Sequence, residues 1–557
     1  MRDIYLVRHG KPAFEGGAKR CIGWTDPELS GEGRRQMEKL SREFAEKSIE
    51  RIYTSPLKRC VESANILSGG RIPVEVVEDL REIYMGQWEN MTFEEIKQKY
   101  PAEYEARGRD LAGVPAPGGE SFADCERRAR RAFEAIRNAS RGNVIVMAHV
   151  GVNRALISGF EGRKLGDLLE IPQGYGQVYR KTDFIFDAMI VAAGLSSRMG
   201  EFKPLMEIGG KTVIRRQVET LRAGGAREIA VITGHRAGEI RAEVSGPGVL
   251  FLHNEEFERT KMFDSVSIGL KYFRDKCGTP EGRSLDGIFF LPVDVPLFTR
   301  FTMEYEKWRF ASGDGDVYCP YNGGAPGHPL LIRASALDFL LVHDGERGLK
   351  GAYERLGERV IHLDVTDRGT VMDMDTREDF LRLSAYEAGR EIPDEETCEA
   401  LLAWFKTDGA VVRHCRAVAA LAEKIAAECN RAGAGLDLKL VRAGALLHDM
   451  AKAYPDHAGT AARWLSMLGH GAAARVVADH MDLPEEKLGG LSESLVVYLA
   501  DKMTQGEKTV SVEERFEYKR RMFADQPEAL AAVGRRRELA RRALAIARQG
   551  GFSDETD

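Results

Sequence analysis

"VAAGLSSRMGEFKPL", Val191–Leu205, opens on the end of an apolar run and packs small residues, one Arg and one Lys into fifteen positions. It reads as a buried strand, then a loop that feeds a helix. The backbone N–H groups of such a loop, together with a helix N-terminus, form a ready anion site. Gly194 and Gly200 permit close backbone approach, and Arg198 and Lys203 supply positive charge for a triphosphate. The pattern is neither the P-loop nor GxGxxG. Apolar strands recur after it at "EIAVIT", "GIFFLPVD" and "RVIHLDV", with helical periods between them. That alternation predicts a mostly parallel sheet covered on both faces.

A separate α/β segment precedes this one. It begins with the strand "DIYLV", runs into "LVRHG" at Leu6–Gly10 and ends near "VYRKTDFIF". From about residue 396 the strands stop, and "CEALLAWF", "VVRHCRAVAALAEKIAAE", "LVRAGALLHDMAKAY", "AARWLSML" and "ESLVVYLADKMTQG" follow as amphipathic helices. "EAGREIPDEE", Glu387–Glu396, is a charged linker. The expected architecture is multidomain: two α/β domains, the second Rossmann-like, and then an all-α domain. The expected boundaries are 1–184, 185–385 and 396–548. A chain of 557 residues is long enough for three or four such cores.

The formal net charge of -6 argues against a nucleic-acid surface as the main purpose. No apolar stretch approaches the roughly 18 residues that span a bilayer, and the N-terminus enters a strand with no leader-like run. The expectation is a cytoplasmic protein with no membrane and no nucleic-acid partner. The eight Cys contain no C-x-x-C pair, so they read as reduced thiols.

Arg8 and His9 directly follow a strand, where open α/β sheets place their ligands. His9 is placed to attack a phosphoryl group and Arg8 to clamp its oxygens. "GWTDPELSGEGRRQ", "IYTSPLKRCVESA", "LREIYMGQWEN", "PGGES" and "VMAHVGVNRAL" follow in order. Residues 1–184 thereby resemble the histidine phosphatase, or phosphoglycerate mutase-like, family, and within it small phosphatases such as alpha-ribazole phosphatase. The resemblance implies that His9 forms phosphohistidine, that Arg8, Arg59 and His149 bind the phosphoryl oxygens, and that Glu82 donates a proton to the leaving group. Cys60 and Val150 depart from the usual residues without removing a functional group.

The opening stretch, with "VITGH", "HNEEFERTKMFDSVSIGL", "LPVDVPL", "GHPLLI" and "DMDTREDF", makes the second segment similar to the nucleotidyltransferases of molybdenum cofactor maturation, nearest the cytidylyltransferases. The chemistry is attack by a phosphorylated acceptor on the α-phosphate of an NTP, with pyrophosphate leaving and Mg²⁺ as clamp. The resemblance implies that Ala192, Ala193, Gly194, Arg198, Lys203 and Asp294 hold the nucleotide. Asp294 ends a strand, a good place for a metal ligand. Asp373 or Asp375 supplies a second carboxylate; they alternate in "VMDMD" and so share one side of an extended segment. His328 is assigned to the acceptor side by the same resemblance.

His448–Asp449 on an otherwise apolar helix is unusual, because a buried Asp is costly unless paired or metal-bound. The order of His414, His448–Asp449 and Asp501 resembles the HD-domain phosphohydrolases. That implies metal ligation by these four, with His457 and His480 as the extra histidines of two-metal subgroups. Imidazole plus carboxylate suits Mn²⁺, Fe²⁺ or Zn²⁺. The Arg-rich helix "GRRRELARRALAIAR" reads as a solvated face.

Together these motifs predict a multifunctional enzyme whose lead activity is Mg²⁺-dependent transfer from an NTP, CTP above all, to molybdopterin. A histidine phosphatase and an HD phosphohydrolase share the chain. The alternatives are transfer to a sugar phosphate or cobalamin precursor, and an HD segment that only binds a nucleotide and regulates. The implied partners are NTPs, phosphorylated small molecules and molybdoenzyme maturation proteins.

Overall fold

A computed structural model describes residues 2–14, 20–140, 142–161, 163, 165–195, 199–277, 285–454, 456–522 and 527–553. The chain divides into two compact units, Met1–Ile185 with Lys276–Asp286, and Phe186–Asp275 with Gly287–Asp557.

The first unit is built on β1 (Arg2–Arg8), β2 (Ile49–Thr54), β3 (Val74–Val76), β4 (Asn143–Ala148) and β5 (Val178–Asp183), in the order β3-β2-β4-β1-β5. The first four run parallel and β5 closes the edge antiparallel to β1. β1 and β4 are continuous apolar runs because helices cover both of their faces. The covering helices start where side chains satisfy their first amides. Ser30 caps Gly31–Glu43, and Ser121 with Asp124 forms a capping box on Phe122–Ala139.

The second unit opens with β6 (Phe186–Ala192), which lies between β9 (Ile229–Thr233) and β11 (Gly287–Pro292). A two-stranded ribbon, β7 (Glu207–Ile208) with β8 (Lys211–Thr212), precedes β9. β10 (Val249–His253), β9, β6 and β11 are parallel, as the alternation predicts. The other half of the sheet departs from that expectation. β14 (Leu330–Arg333) runs antiparallel to β11 and to β12 (Val317–Asn322), and β15 (Val360–Asp364) is parallel to β12. The reversal is local chemistry. β12 turns into β13 (Ala325–Pro326) through Gly323 and Gly324, both at positive φ, the backbone a two-residue hairpin requires.

The helices beyond residue 394 share one apolar core, and the sheet-bearing part of the unit joins it through Phe301, whose ring meets Trp404 and Phe405 edge-on. Trp404 Nε1 donates to Asp364 O at 2.9 Å. The strands do not wholly stop at 396: β16 (Thr504–Gln505) and β17 (Lys508–Thr509) form a short hairpin at Gly506, where φ is positive. Arginines of the last helix, Pro527–Gln549, make surface ion pairs, Arg536 with Asp482, Arg541 with Glu513 and Arg542 with Glu485 among them. Among the described residues no helix is long and apolar enough to cross a membrane.

Candidate functional sites

Parallel pairing puts Arg8 opposite Ala148 and Thr54 opposite Met147, so His9, His149 and Ser55 emerge side by side at the carboxyl ends of β1, β4 and β2. The His9 ring is buried and its Nδ1 lies 2.7 Å from Gly10 O. A carbonyl only accepts, so Nδ1 carries the hydrogen and Nε2 keeps its lone pair. Burial first, and then the Arg59 charge, hold the imidazole well below its usual pKa, which keeps it neutral. The His149 ring sits 5.1 Å from that of His9. Its Nε2 is 2.8 Å from Ser55 Oγ and 3.4 Å from Cys60 Sγ, and burial lowers its pKa strongly too.

Two guanidinium groups flank these rings. Arg59 is buried and donates to Thr25 O and Gly23 O, each at 2.8 Å. Arg8 donates to Gln173 O and lies over the Tyr175 ring at 3.9 Å. The Nε of each is buried with no acceptor among the described residues. Buried donors of that kind call for a ligand acceptor, here an anion. Glu82 accepts from Gly151 N at 3.1 Å and Val152 N at 3.3 Å, the first amides of helix Val150–Glu161. Gly151 is required there, since a Cβ would come within 2.5 Å of the Glu82 carboxylate. Arg8, His9 and Glu82 line one cavity of about 680 Å³.

In the second unit Val191 pairs with Pro292, so the loop after β6 and the loop after β11 open at one edge. A cavity of about 220 Å³ lies there, lined by Ala193, Gly194, Thr260, Lys261, Lys203 and Asp294. A Cβ on Gly194 would meet nothing within 4 Å, so this glycine leaves room rather than touching backbone, while Gly200 holds a positive φ. Ala192 is the buried last residue of β6. Lys203 Nζ bonds Asp375 Oδ1 at 2.7 Å, and Met374 N donates to Asp294 O at 2.9 Å. Burial raises the Asp294 pKa; Lys203 opposes that rise, and Asp375 and Asp373 add to it. Met374 is buried between two outward carboxylates, of which Asp373 is exposed and 4.0 Å from Arg382. Arg198 lies outside the described residues. His328 is half-buried, with its ring against Phe290 and its Nδ1 buried and unpartnered among the described residues, and it is not among the residues lining the cavity.

The third cluster is set between helices. His414 comes from helix Gly409–Arg431, His448 and Asp449 follow Leu438–Leu447, His457 begins His457–Met467, His480 ends Gly471–Asp479, and Asp501 lies in Glu493–Lys502. His414, His448 and Asp449 form one group with donor atoms within 4.8 Å of one another, and Asp449, His457 and His480 form a second. Asp501 Oδ1 stands 3.3 Å from His414 Nε2 and 3.9 Å from His448 Nε2. Asp449 Oδ1 stands 3.2 Å from His457 Nε2 and 3.4 Å from His480 Nε2, so it joins the two groups. Three rings are oriented by backbone carbonyls on Nδ1: His448 by Ala445 O, His480 by Val477 O and His414 by Gly506 O, at 2.7, 2.7 and 2.8 Å. All then turn Nε2 inward, the arrangement of metal-binding imidazoles. Among the described residues His448 Nε2 is buried with no hydrogen-bond partner, the state a metal-ligating nitrogen would have. Burial drops the His448 pKa to about 4, which keeps it neutral. Burial alone would raise Asp449 and Asp501. The imidazoles with Lys452 outweigh it at Asp449, and Lys502 with the imidazoles outweighs it at Asp501. Lys452 bonds Asp449 at 2.9 Å rather than standing free in solvent.

Sequence reasoning missed Ser55, Tyr175, Lys261 and Lys502. Lys502 could have been suspected from "ADK", since its Nζ reaches Asp501 at 2.6 Å. Tyr175 had no spacing signal, because it reaches Arg8 from a loop near the other end of the segment.

Comparison with known proteins follows the same division. Residues 4–182 match the family model "Histidine phosphatase superfamily (branch 1)", 188–360 the "MobA-like NTP transferase domain" and 411–533 the "HD domain". A 6-phosphofructo-2-kinase/fructose-2,6-bisphosphatase 4 of Rattus norvegicus is 35% identical over 161 residues, 28% of this chain and 33% of that protein. The chain therefore spans about a third of that relative's length. Phosphoglycerate mutase-like protein 4 of Arabidopsis thaliana is 31% identical over 159 residues, 28% of this chain and 69% of the relative. Among solved structures, Bacillus stearothermophilus YhfR is 31% identical, covering 33% of this chain and 92% of its own, with a TM-score of 0.31. Through its first segment the chain belongs to the histidine phosphatase superfamily, and it continues into a MobA-like NTP transferase domain and an HD domain.

Proposed function

We propose three catalytic modules, 1–184, 185–385 and 396–548, of which the middle one carries the lead activity: transfer of a nucleotidyl group, from CTP, to the terminal phosphate of molybdopterin. Domains of the transferase and HD kinds generally use divalent metals. The observation that supports the reading is the convergence of Lys203, Asp294 and Asp375 at the mouth of a cavity at the carboxyl end of β6 and β11. Asp294 and Asp375 set two carboxylates beside the Lys203 ammonium, a donor set that fits a divalent cation. Asp294 with Asp373 or Asp375 would hold Mg²⁺, which when bound neutralises charge on the phosphates. The loop of Ala192, Ala193 and Gly194 cradles the triphosphate, with Arg198 and Lys203 countering its charge. The acceptor phosphate oxygen attacks the α-phosphorus and pyrophosphate departs.

In the first module His9 Nε2 attacks the phosphorus of a monoester while Arg8, Arg59 and His149 hold the oxygens. Glu82 gives its proton to the leaving oxygen and then takes one from the water that hydrolyses phosphohistidine. In the third, His414, His448, Asp449 and Asp501 would hold one metal ion, and Asp449, His457 and His480 a second. The donor set, a buried orphan Nε2 and two depressed carboxylates, fits Mn²⁺ or Fe²⁺, whose chemistry there is activation of water toward a phosphate ester or anhydride. Transfer to a sugar phosphate or a cobalamin precursor is the second reading, and maturation proteins are the partners implied by the first.

The test is pyrophosphate release by the full chain with Mg²⁺, each of the four NTPs and molybdopterin, wild type against Asp294→Ala. Release with CTP that the variant lacks supports the cytidylyl reading. Release only when a sugar phosphate or cobalamin precursor replaces molybdopterin favours the second reading. Release with no acceptor sinks both.

A further inference from the structure

The cavity beside His9 is far larger than a phosphoryl group needs. At about 680 Å³ it falls within the ~300–1,000 Å³ of sites that bury a drug-sized ligand. Its walls beyond the phosphate-binding end are apolar and largely aromatic, with Phe14, Met85, Trp88, Phe93, Leu111 and Phe122 among them. A sugar buried here would bring several hydroxyls to a wall with few partners for them. Each unpaired buried hydroxyl forfeits its bonds to water and is costly. A flat ring system gains by the same contact.

The charged groups on the wall are unbalanced. Arg8, Arg20, Arg107 and Arg154 line the cavity, with Glu82 as their one acidic counterpart among the described lining residues. Arg8 belongs to the phosphoryl group, and Arg20 is engaged by Glu95 at 3.7 Å. Arg107 is different. It is 5% exposed, donates to Val114 O at 2.5 Å and lies over the Phe122 ring at 5.2 Å. No carboxylate bonds it among the described residues. Arg154 is half-buried and donates to carbonyls, Ile171 O at 2.8 Å and Leu169 O at 3.1 Å; the Glu82 charge acts on it, but no carboxylate bonds it among the described residues. A buried guanidinium without a carboxylate is costly unless a ligand supplies the anion.

We propose that the phosphatase substrate is a monoester of a bulky aromatic alcohol that carries a second anionic group, with the ring system on the apolar wall and the second anion on Arg107 and Arg154. The inference rests on the reading of His9 as the phosphatase nucleophile, and the experiment separates the two. Hydrolysis of p-nitrophenyl phosphate by the full chain, wild type against His9→Ala, tests that reading alone. Three esters of primary alcohols, matched in their need for a proton, then test the pocket: glucose 6-phosphate, 2-naphthylmethyl phosphate and 6-carboxy-2-naphthylmethyl phosphate. The expected order of kcat/KM places naphthylmethyl at least ~100-fold above glucose 6-phosphate and the carboxylated ester about tenfold higher again. In Arg107→Met, and separately in Arg154→Met, the ratio between the two naphthyl esters falls toward one. His9-dependent hydrolysis of p-nitrophenyl phosphate with equal or better use of glucose 6-phosphate overturns the pocket inference. So does a carboxylate preference that survives both variants. Absence of His9-dependent hydrolysis overturns the phosphatase reading and the inference with it.

Discussion

Of the histidines at the ends of β1 and β4 and between the C-terminal helices, His9, His149, His448 and His480 are buried and His414 and His457 partly so, and most are steered in the same way. His9, His414, His448 and His480 each give Nδ1 to a backbone carbonyl and free Nε2. What differs is the charge beside them. His9 and His149 face Arg8 and Arg59, whereas His414, His448, His457 and His480 face Asp449 and Asp501. Guanidinium neighbours make the first cluster a place for a phosphoryl anion. Carboxylate neighbours make the second a place for a cation. On the proposed reading the same side chain in the same tautomer would serve opposite ligands, with the partner charge deciding which.

The largest effect should come from deleting the lone pair on the anion side. His9→Ala should cost on the order of 10⁶-fold in phosphatase kcat, the scale for loss of a nucleophile. Metal content, measured by plasma emission spectroscopy, should stay at the wild-type value, and a parallel loss of metal would break the comparison. Next is the proton. Glu82→Gln should lower kcat by ~10²–10⁴-fold for an alkyl phosphate and far less for p-nitrophenyl phosphate, whose leaving group needs no proton; equal losses on both would remove Glu82 from that role.

His328 calibrates what burial does with neither neighbour, since burial alone lowers its pKa from 6.5 to about 4. Between those values the unfolded chain takes up a proton that the folded chain refuses. Its contribution to stability is therefore complete above pH 6.5 and declines as pH falls toward about 4, by about 3 kcal/mol at most. Urea unfolding of wild type and His328→Leu at pH 7 and 4.5 should show a shallower acid loss in the variant; identical slopes would reject the assignment. The smallest effect is on the cation side. A chelator should destabilise the helical part by about 2.7 kcal/mol if the metal stood at 100 times its Kd, and leave p-nitrophenyl phosphate hydrolysis intact. Asp449→Ala should lose more metal equivalents than His480→Ala, because Asp449 joins both groups. Equal losses would argue for one ion.

Much of this was legible in residue order. "LVRHG" after a strand, "PVDVP" ending another and "LLHDM" on an apolar helix place chemistry-bearing residues where those elements end, and the structure brings those residues together. The acceptors that orient the rings were not legible. Every residue has a carbonyl, so nothing marks Gly506 O as the one that meets His414, 92 positions away. Nor was the charge excess at Arg107, since "YEARGRDL" reads as an ordinary helix end until the fold buries it.

The sequence by itself determined the order of the three segments, the strand and helix periods that build them and the residue types offered for each chemistry. These follow from local spacing, which a linear chain displays. Only the tertiary structure decided that half of the second sheet turns antiparallel, that Lys203 meets Asp375 and that Asp449 links two histidine groups. It alone set Arg107 and Arg154, neither bonded to a carboxylate among the described residues, on an apolar wall beside His9. Pairing across long separations depends on which surfaces pack, and burial then sets the strength of every charge it encloses.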